Sequence, residues 1–332
     1  VATLAIGNDA LEAELLPRFE LVEERLRDAV AQSDKLADAT SRHLVDAGGK
    51  RLRPMLTLLC AQLGDGSRPE VLDAAVVVEL THLATLYHDD VMDSAPTRRG
   101  APAAHEVWGN SVAILTGDLL FARASSVVAG LGPQAVRIQA ETFERLCLGQ
   151  LHETVGPSDG DDPIEFYLQV LADKTGSLIA TSARLGAMFG GCPQGIVRQV
   201  TEYGEAAGVA FQLADDVIDV RSDAATTGKT PGTDLREGVA TMPVLLLRRL
   251  VASGAASDAD RVLLADIDGD LTDDAALASV VARLAAHPVV DETAELAQQW
   301  ARKADAAIAA LPEGDVKSSL VAFADALVAR AA

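Results

Sequence analysis

Apolar residues recur every three or four positions along most of this chain, the spacing of one face of an α-helix. Between residues 9 and 47 the stripe passes through Leu15, Phe19, Val22, Leu26 and Val30 and predicts one or two amphipathic helices. Ala47-Gly48-Gly49 ends that stretch, and Pro54 opens a helix predicted to run through Leu63. From Val71 to Asp93 nearly every face is apolar, which predicts a central, buried helix. Further helices are predicted at about 106–130, 133–154, 163–189, 193–220, 241–252, 258–266, 273–285, 290–311 and 315–331. The clearest breaks are Pro157–Pro163 and the Gly- and Thr-rich stretch 222–233. Helical patterning resumes at once on both sides of each, so residues 1–332 read as a single domain.

Composition points the same way. The 332 residues are 49% hydrophobic but only 4% aromatic. A chain of this length buries a sizeable core, and abundant Ala and Leu favour helices over strands, so the expected fold is all-α. A net charge of −21 argues against nucleic acid as a partner, because an acidic surface repels phosphate backbones. It leaves room for a local phosphate site. Cys60, Cys147 and Cys192 are far apart and make neither a disulfide framework nor a zinc site, which suits a reducing cytoplasm. No run is expected to reach the length of a membrane span, and the first residues lack a signal-peptide pattern.

The candidate chemistry lies in one long-range echo. His88-Asp-Asp-Val-Met-Asp93 returns as Ala214-Asp-Asp-Val-Ile-Asp219, each with acids at i, i+1 and i+4 near the end of an apolar helix. Positions i and i+4 share a helix face, so Asp89 points with Asp93 and Asp215 with Asp219. Gln212, Asp215, Asp216 and Asp219 form a polar stripe on an otherwise apolar helix. Acids at a helix C-terminus oppose the macrodipole, at a cost of about 0.3–1 kcal/mol each. Repeated in register, they suit Mg²⁺, a hard cation that takes oxygen ligands and is usually shared with substrate phosphates. The cations fit the same idea. Lys50, Arg51 and Arg53 sit at a loop-to-helix start, where free backbone N–H groups also attract anions. Arg98-Arg99-Gly100 follows the first cluster, and Lys174-Thr175-Gly176 and Gly228-Lys229 lie either side of the second.

Gly49-Lys-Arg-Leu-Arg-Pro54, Asp89–Asp93 with Arg98-Arg99-Gly100, Lys174-Thr175-Gly176, Phe211-Gln212 through Asp219, and Gly228-Lys229 together resemble the trans-isoprenyl diphosphate synthases. The resemblance implies an all-α bundle of about ten or more helices around a central cavity. It also implies head-to-tail condensation of isopentenyl diphosphate with an allylic diphosphate. By that resemblance Asp89, Asp93, Asp215 and Asp219 would be metal ligands, with three Mg²⁺ per site and Mn²⁺ as a substitute. Asp89, Asp90, Asp93, Lys174, Asp215 and Asp216 would carry catalysis. Isopentenyl diphosphate would lie on Lys50, Arg53, His82 and Arg99, and the allylic diphosphate on Arg98, Lys174, Thr175, Gln212 and Lys229. His82 falls two turns before Asp89 on the same face. The resemblance further implies a homodimer, touching membranes at most peripherally through a lipophilic product.

Product length would depend on the turn beneath the first cluster. Ala84 and Thr85 stand there, neither aromatic, so the short-chain plug of the family is missing and a long all-trans polyprenyl product, a quinone side-chain precursor, is expected. Phe143, Leu146 or another residue on the 133–154 helix would form the floor. The competing readings are a geranylgeranyl-length product, a terpene cyclase and a non-catalytic partner subunit. A cyclase would not need the isopentenyl-binding cations, and a partner subunit would have lost an aspartate cluster. Two departures stand out: Gly238-Val239-Ala240-Thr241 lacks a lysine common in relatives, leaving Arg236 nearby, and only Arg330 makes the C-terminus basic. Thr226–Thr230 imitates a nucleotide-binding loop, but its first glycine position is Asp223. Asp266–Asp270 imitates a calcium loop with the glycine one place early.

Overall fold

The computed structural model describes residues 7–221 and 231–329. Its helices are α1 (Asp9–Val30), α2 (Lys35–Asp46), α3 (Leu52–Ala61), α4 (Pro69–Met92), α5 (Ala104–Trp108), α6 (Asn110–Gly130), α7 (Pro133–Val155), α8 (Pro163–Leu171), α9 (Ser177–Phe189) and α10 (Gln194–Arg221). They continue as α11 (Thr233–Arg236), α12 (Met242–Ala252), α13 (Asp258–Ile267), α14 (Asp274–Ala285), α15 (Pro288–Ala307) and α16 (Asp315–Val328). Two strands of two residues each, β1 (Thr97–Arg98) and β2 (Ala101–Pro102), pair as an antiparallel ribbon.

The chain divides into two compact units. One takes in Val1–Leu146, Ser177–Glu205 and Ala307–Phe323, the other Cys147–Gly176, Ala206–Ala306 and Ala324–Ala332, as far as those residues are described. In the first unit α1 begins at Asn8, whose side chain accepts a hydrogen bond from Leu11 N at 3.0 Å, the usual N-cap arrangement. The predicted stripe from Leu15 to Val30 is the face it buries. Helix α4 is buried on almost every side, as its apolar pattern predicts. Helices α3 and α9 lie close enough for Thr57 Oγ1 to donate to Ser182 O at 3.1 Å. In the second unit Tyr167, Leu213, Val217, Leu246, Leu247 and Leu284 share one core. Each such side chain contributes about 1.5–3 kcal/mol by leaving water.

Four differences from the sequence expectation have physical causes. Gly109 takes φ 82° and separates α5 from α6, where one helix over 106–130 is predicted. The 163–189 helix is interrupted by a π-helical turn, Ala172–Gly176. The ribbon at residues 97–102 is too short to show a period of two. Finally, α6 is long and apolar enough to cross a membrane by length and composition, contrary to the expectation that no run reaches that length. In the structure Ala113, Gly117, Leu120, Ala124 and Val128 form its buried face.

Candidate active site

Helix α4 delivers the first cluster at its last turn. Asp89 is half-buried, Asp93 is the exposed C-cap residue, and Asp90 is fully buried. The α-helical angle of 100° per residue produces this split, turning Asp89 and Asp93 outward while Asp90 faces the core. Asp90 is held there by Arg98, whose Nε donates to Oδ1 at 2.6 Å and whose Nη2 lies 2.5 Å from the same oxygen. Its other oxygen, Oδ2, is buried with no hydrogen-bond partner among the described residues. Three residues before Asp90, Tyr87 donates its hydroxyl to Thr40 O at 2.5 Å and accepts from Leu44 N at 3.3 Å, fixing α4 against α2.

The ribbon explains why adjacent arginines do different things. Arg99 and Gly100 both have positive φ, 55° and 77°, the two central residues of a type I′ hairpin. Arg98 thus leaves from a strand and Arg99 from the turn. Arg99 Nη1 donates to Leu44 O at 2.9 Å and also to Gly48 O, so it clamps the loop that carries Lys50. Arg51 is the most internal cation of that loop. It donates to Glu23 Oε1 at 2.7 Å, Glu79 Oε1 at 2.8 Å and Val45 O at 2.9 Å. Its role is structural. Lys50 beside it is exposed.

Arg53, His82 and Arg99 share one electrostatic environment. Burial, offset in part by Glu79 and reinforced by Arg99, pushes the Arg53 guanidinium down to about 10, so it stays charged at neutral pH. Burial, then the charges of Arg53, Arg99, Arg98 and Arg51, holds the His82 imidazole well below its ordinary value. His82 is therefore neutral at pH 7, a hydrogen-bonding group among cations. Arg53 Nε is buried without a partner among the described residues. A partly desolvated cation set that lacks a full complement of acids is stabilised by an incoming anion.

The second cluster shows the same division of labour on α10. Asp215 and Asp219 are half-buried, whereas Asp216 is 1% exposed. Asp216 Oδ2 accepts from the Tyr167 hydroxyl at 2.9 Å and from Met242 N at 3.2 Å. Burial, followed by the nearby charge of Asp234, lifts its carboxyl well above the usual range. Lys174 and Thr175 sit in the π-helical turn, a feature frequent at functional sites. Lys174 Nζ lies 2.5 Å from Glu153 Oε2, and Thr175 Oγ1 donates to Gln212 Oε1 at 3.3 Å. The structure thus brings Thr175 and Gln212 together. Lys229 lies outside the described residues. Arg236, the suggested substitute for a missing lysine, pairs with Asp274 at 2.6 Å on the surface.

Gly149 on α7 makes the π-helical turn sterically possible. A Cβ there would lie 2.8 Å from Lys174 N and 3.1 Å from Asp173 Cβ, and backbone cannot swing aside. Gly149→Ala is therefore expected to displace Lys174 and to lower turnover at least about tenfold, since a small misplacement of a reacting group costs up to about 10²-fold. Steady-state kinetics with both substrates checks this.

Of the proposed chain-length residues, Ala84 and Leu146 are buried, and Thr85 and Phe143 are half-buried. Thr85 and Thr81 turn their hydroxyls back to His82 O and Val77 O, each at 2.8 Å. Gly117 of α6 faces this turn, because a Cβ on it would lie 2.4 Å from His88 Nε2 and 3.0 Å from Ala84 O. One turn further along α6, Phe121 stacks on Phe143 with centroids 3.7 Å apart. Sequence reasoning missed Phe121, since nothing in the α6 stripe distinguishes it from a packing residue.

The donors fit a hard divalent cation. Asp89, Asp93, Asp215 and Asp219 offer outward carboxylate oxygens in i, i+4 pairs. Among the described residues no group of three or more His, Cys, Asp or Glu side chains forms a ready-made cage. A cation shared between few carboxylates and substrate phosphates has that donor set.

A family model described as polyprenyl synthetase matches residues 34–283. A nonaprenyl diphosphate synthase of Mycobacterium tuberculosis is 44% identical over 331 residues, covering 99% of this chain and 97% of the relative. The crystal structure of a Caulobacter crescentus polyprenyl synthase complexed with calcium and isoprenyl diphosphate superposes with a TM-score of 0.87 at 32% identity, covering 98% of each chain. That of a Corynebacterium glutamicum geranylgeranyl pyrophosphate synthase, also with calcium and isoprenyl diphosphate, does so with a TM-score of 0.85 at 41% identity and the same coverage.

Proposed function

The chain belongs to the polyprenyl synthetase family and is a prenyltransferase, and from that premise we propose that it makes a long-chain all-trans polyprenyl diphosphate with Mg²⁺ as its metal. The supporting observation is the paired clusters, each presenting two outward carboxylates and burying the third. Mg²⁺, when bound, draws charge from the departing diphosphate. Asp89, Asp93, Asp215 and Asp219 would hold it. Lys174, Thr175 and Gln212 orient the allylic diphosphate, so that breakage of its C1–O bond leaves an allylic cation and free diphosphate. Arg53, His82 and Arg99 fix isopentenyl diphosphate, whose terminal double-bond carbon forms the new bond. The proton then lost from that unit passes to the released diphosphate.

Long product is supported by the similarity to the nonaprenyl synthase and by small Ala84 beneath the first cluster. The Phe121–Phe143 stack favours a second reading, a product of geranylgeranyl length, because Phe121 stands one turn along α6 from Gly117, which faces Ala84. Sizing the dephosphorylated products made from labelled isopentenyl diphosphate and starters of several lengths decides between them. The expected wild-type product is long, and Ala84→Phe shortens it by several isoprene units. A short wild-type product, unchanged in Ala84→Phe but lengthened in Phe143→Ala, would establish the second reading. Assembly as a homodimer is part of the proposal, supported by Ile114 and Leu115, 43% and 65% exposed on α6.

A further inference from the structure

Asp216 joins three helices through one oxygen. Tyr167 of α8 donates to Oδ2 at 2.9 Å, and Met242 N, at the first residue of α12, donates to the same atom at 3.2 Å. The N-cap of α12, Thr241, makes no side-chain cap bond. The carboxyl of Asp216 therefore supplies from α10 the acceptor that this helix start lacks. Tyr167 is buried, and its hydroxyl donates to this carboxyl oxygen. Helix α8 runs directly into the π-helical turn, where Thr175 bonds Gln212, one turn before Asp216 on α10. The face of α10 that bears Asp215 and Asp219 is thus pinned at two successive turns by α8 and its extension.

We propose that Tyr167, acting through Asp216, is a positioning residue for the second metal-binding pair, Asp215 and Asp219, and that Asp216 is an anchor rather than a metal ligand. The inference rests on the reading above that Asp215 and Asp219 hold metal. Partners one shell removed from a metal typically change its affinity or the activity by about 10–100-fold when lost. Removing the Tyr167 hydroxyl leaves a buried carboxyl with only the Met242 N–H and releases α10 at the turn between the two ligands. An asparagine at 216 behaves differently. It keeps an oxygen that accepts from both Tyr167 and Met242 N but gives up the charge that a metal ligand needs.

The test is Mn²⁺ binding, followed by electron paramagnetic resonance in the presence of inorganic diphosphate and without turnover, alongside the Mg²⁺ dependence of the rate. Tyr167→Phe is expected to weaken Mn²⁺ binding about tenfold or more and to raise the Mg²⁺ needed for half-maximal rate in parallel. KM for isopentenyl diphosphate should stay unchanged. Asp216→Asn is expected to bind Mn²⁺ within a few-fold of wild type, whereas Asp215→Asn loses that binding. Wild-type Mn²⁺ affinity in Tyr167→Phe, or loss in Asp216→Asn equal to that in Asp215→Asn, would overturn the proposal. Should Tyr167→Phe not fold by circular dichroism, Asp216→Asn alone decides. Full Mn²⁺ binding by Asp215→Asn would overturn both this proposal and the metal assignment beneath it; loss there with no effect in Tyr167→Phe would overturn this proposal alone.

Discussion

Asp89→Ala is expected to lower the rate of isopentenyl diphosphate incorporation by about 10²–10³-fold or more, the usual cost of removing one element of charge stabilisation from a transition state. Its stability should move the other way or not at all. Asp89 is half-buried in the last turn of α4, where a carboxylate opposes the helix macrodipole by about 0.3–1 kcal/mol. Loss of activity without loss of stability identifies a group kept for a ligand rather than for the fold. Asp90 provides the contrast. It is buried against Arg98, so its removal strands a guanidinium and should cost both stability and rate. Thermal unfolding measured beside initial rates separates the two cases.

Glu79→Leu is expected to destabilise the protein by about 3–5 kcal/mol, the range found when one partner of a buried ion pair is removed. Glu79 is 1% exposed and its Oε1 accepts from Arg51 Nη1 at 2.8 Å, with Arg99 Nη2 at 3.8 Å. It is also the acid that counters the charge of Arg53. Without it Arg51 retains Glu23 and Val45 O, but the mutually repelling charges of Arg53 and Arg99 lose this counter-charge in a partly desolvated environment. Thermal melting gives the loss. Added inorganic diphosphate should restore part of the melting temperature, because an anion on Arg53, His82 and Arg99 binds the folded state only. A melting curve equal to wild type would show that these cations need no internal counter-charge.

Much of this architecture is legible in the sequence, because helix burial has a period that side chains report directly. The stripe of α1, the buried α4 and most helix ends follow from apolar spacing, caps and Gly or Pro breaks. The outward pairs Asp89/Asp93 and Asp215/Asp219 follow from the same geometry. What is not legible depends on contacts distant in sequence. Tyr167 meets Asp216 across 49 positions, and as a residue of α8 it looks like any core tyrosine. The π-helical turn inserts one residue into a helix without any change of composition. The division into two units is silent in sequence too, since the boundary at Leu146 falls inside α7 and no linker composition marks it. Arg98 and Arg99 are neighbours in sequence, and only the I′ turn centred on Arg99 and Gly100 shows that one goes to Asp90 and the other to the loop at Gly48.

The central claim is that departure of diphosphate is coupled to attack by isopentenyl diphosphate and requires a divalent metal. The most direct measurement is the stoichiometry of free diphosphate released to isopentenyl diphosphate consumed, with an allylic starter, with and without chelation of Mg²⁺. The expected ratio is one to one at every chain length, falling to no reaction in chelator. Release of diphosphate from the allylic substrate without consumption of isopentenyl diphosphate, or elongation that survives chelation, would contradict it.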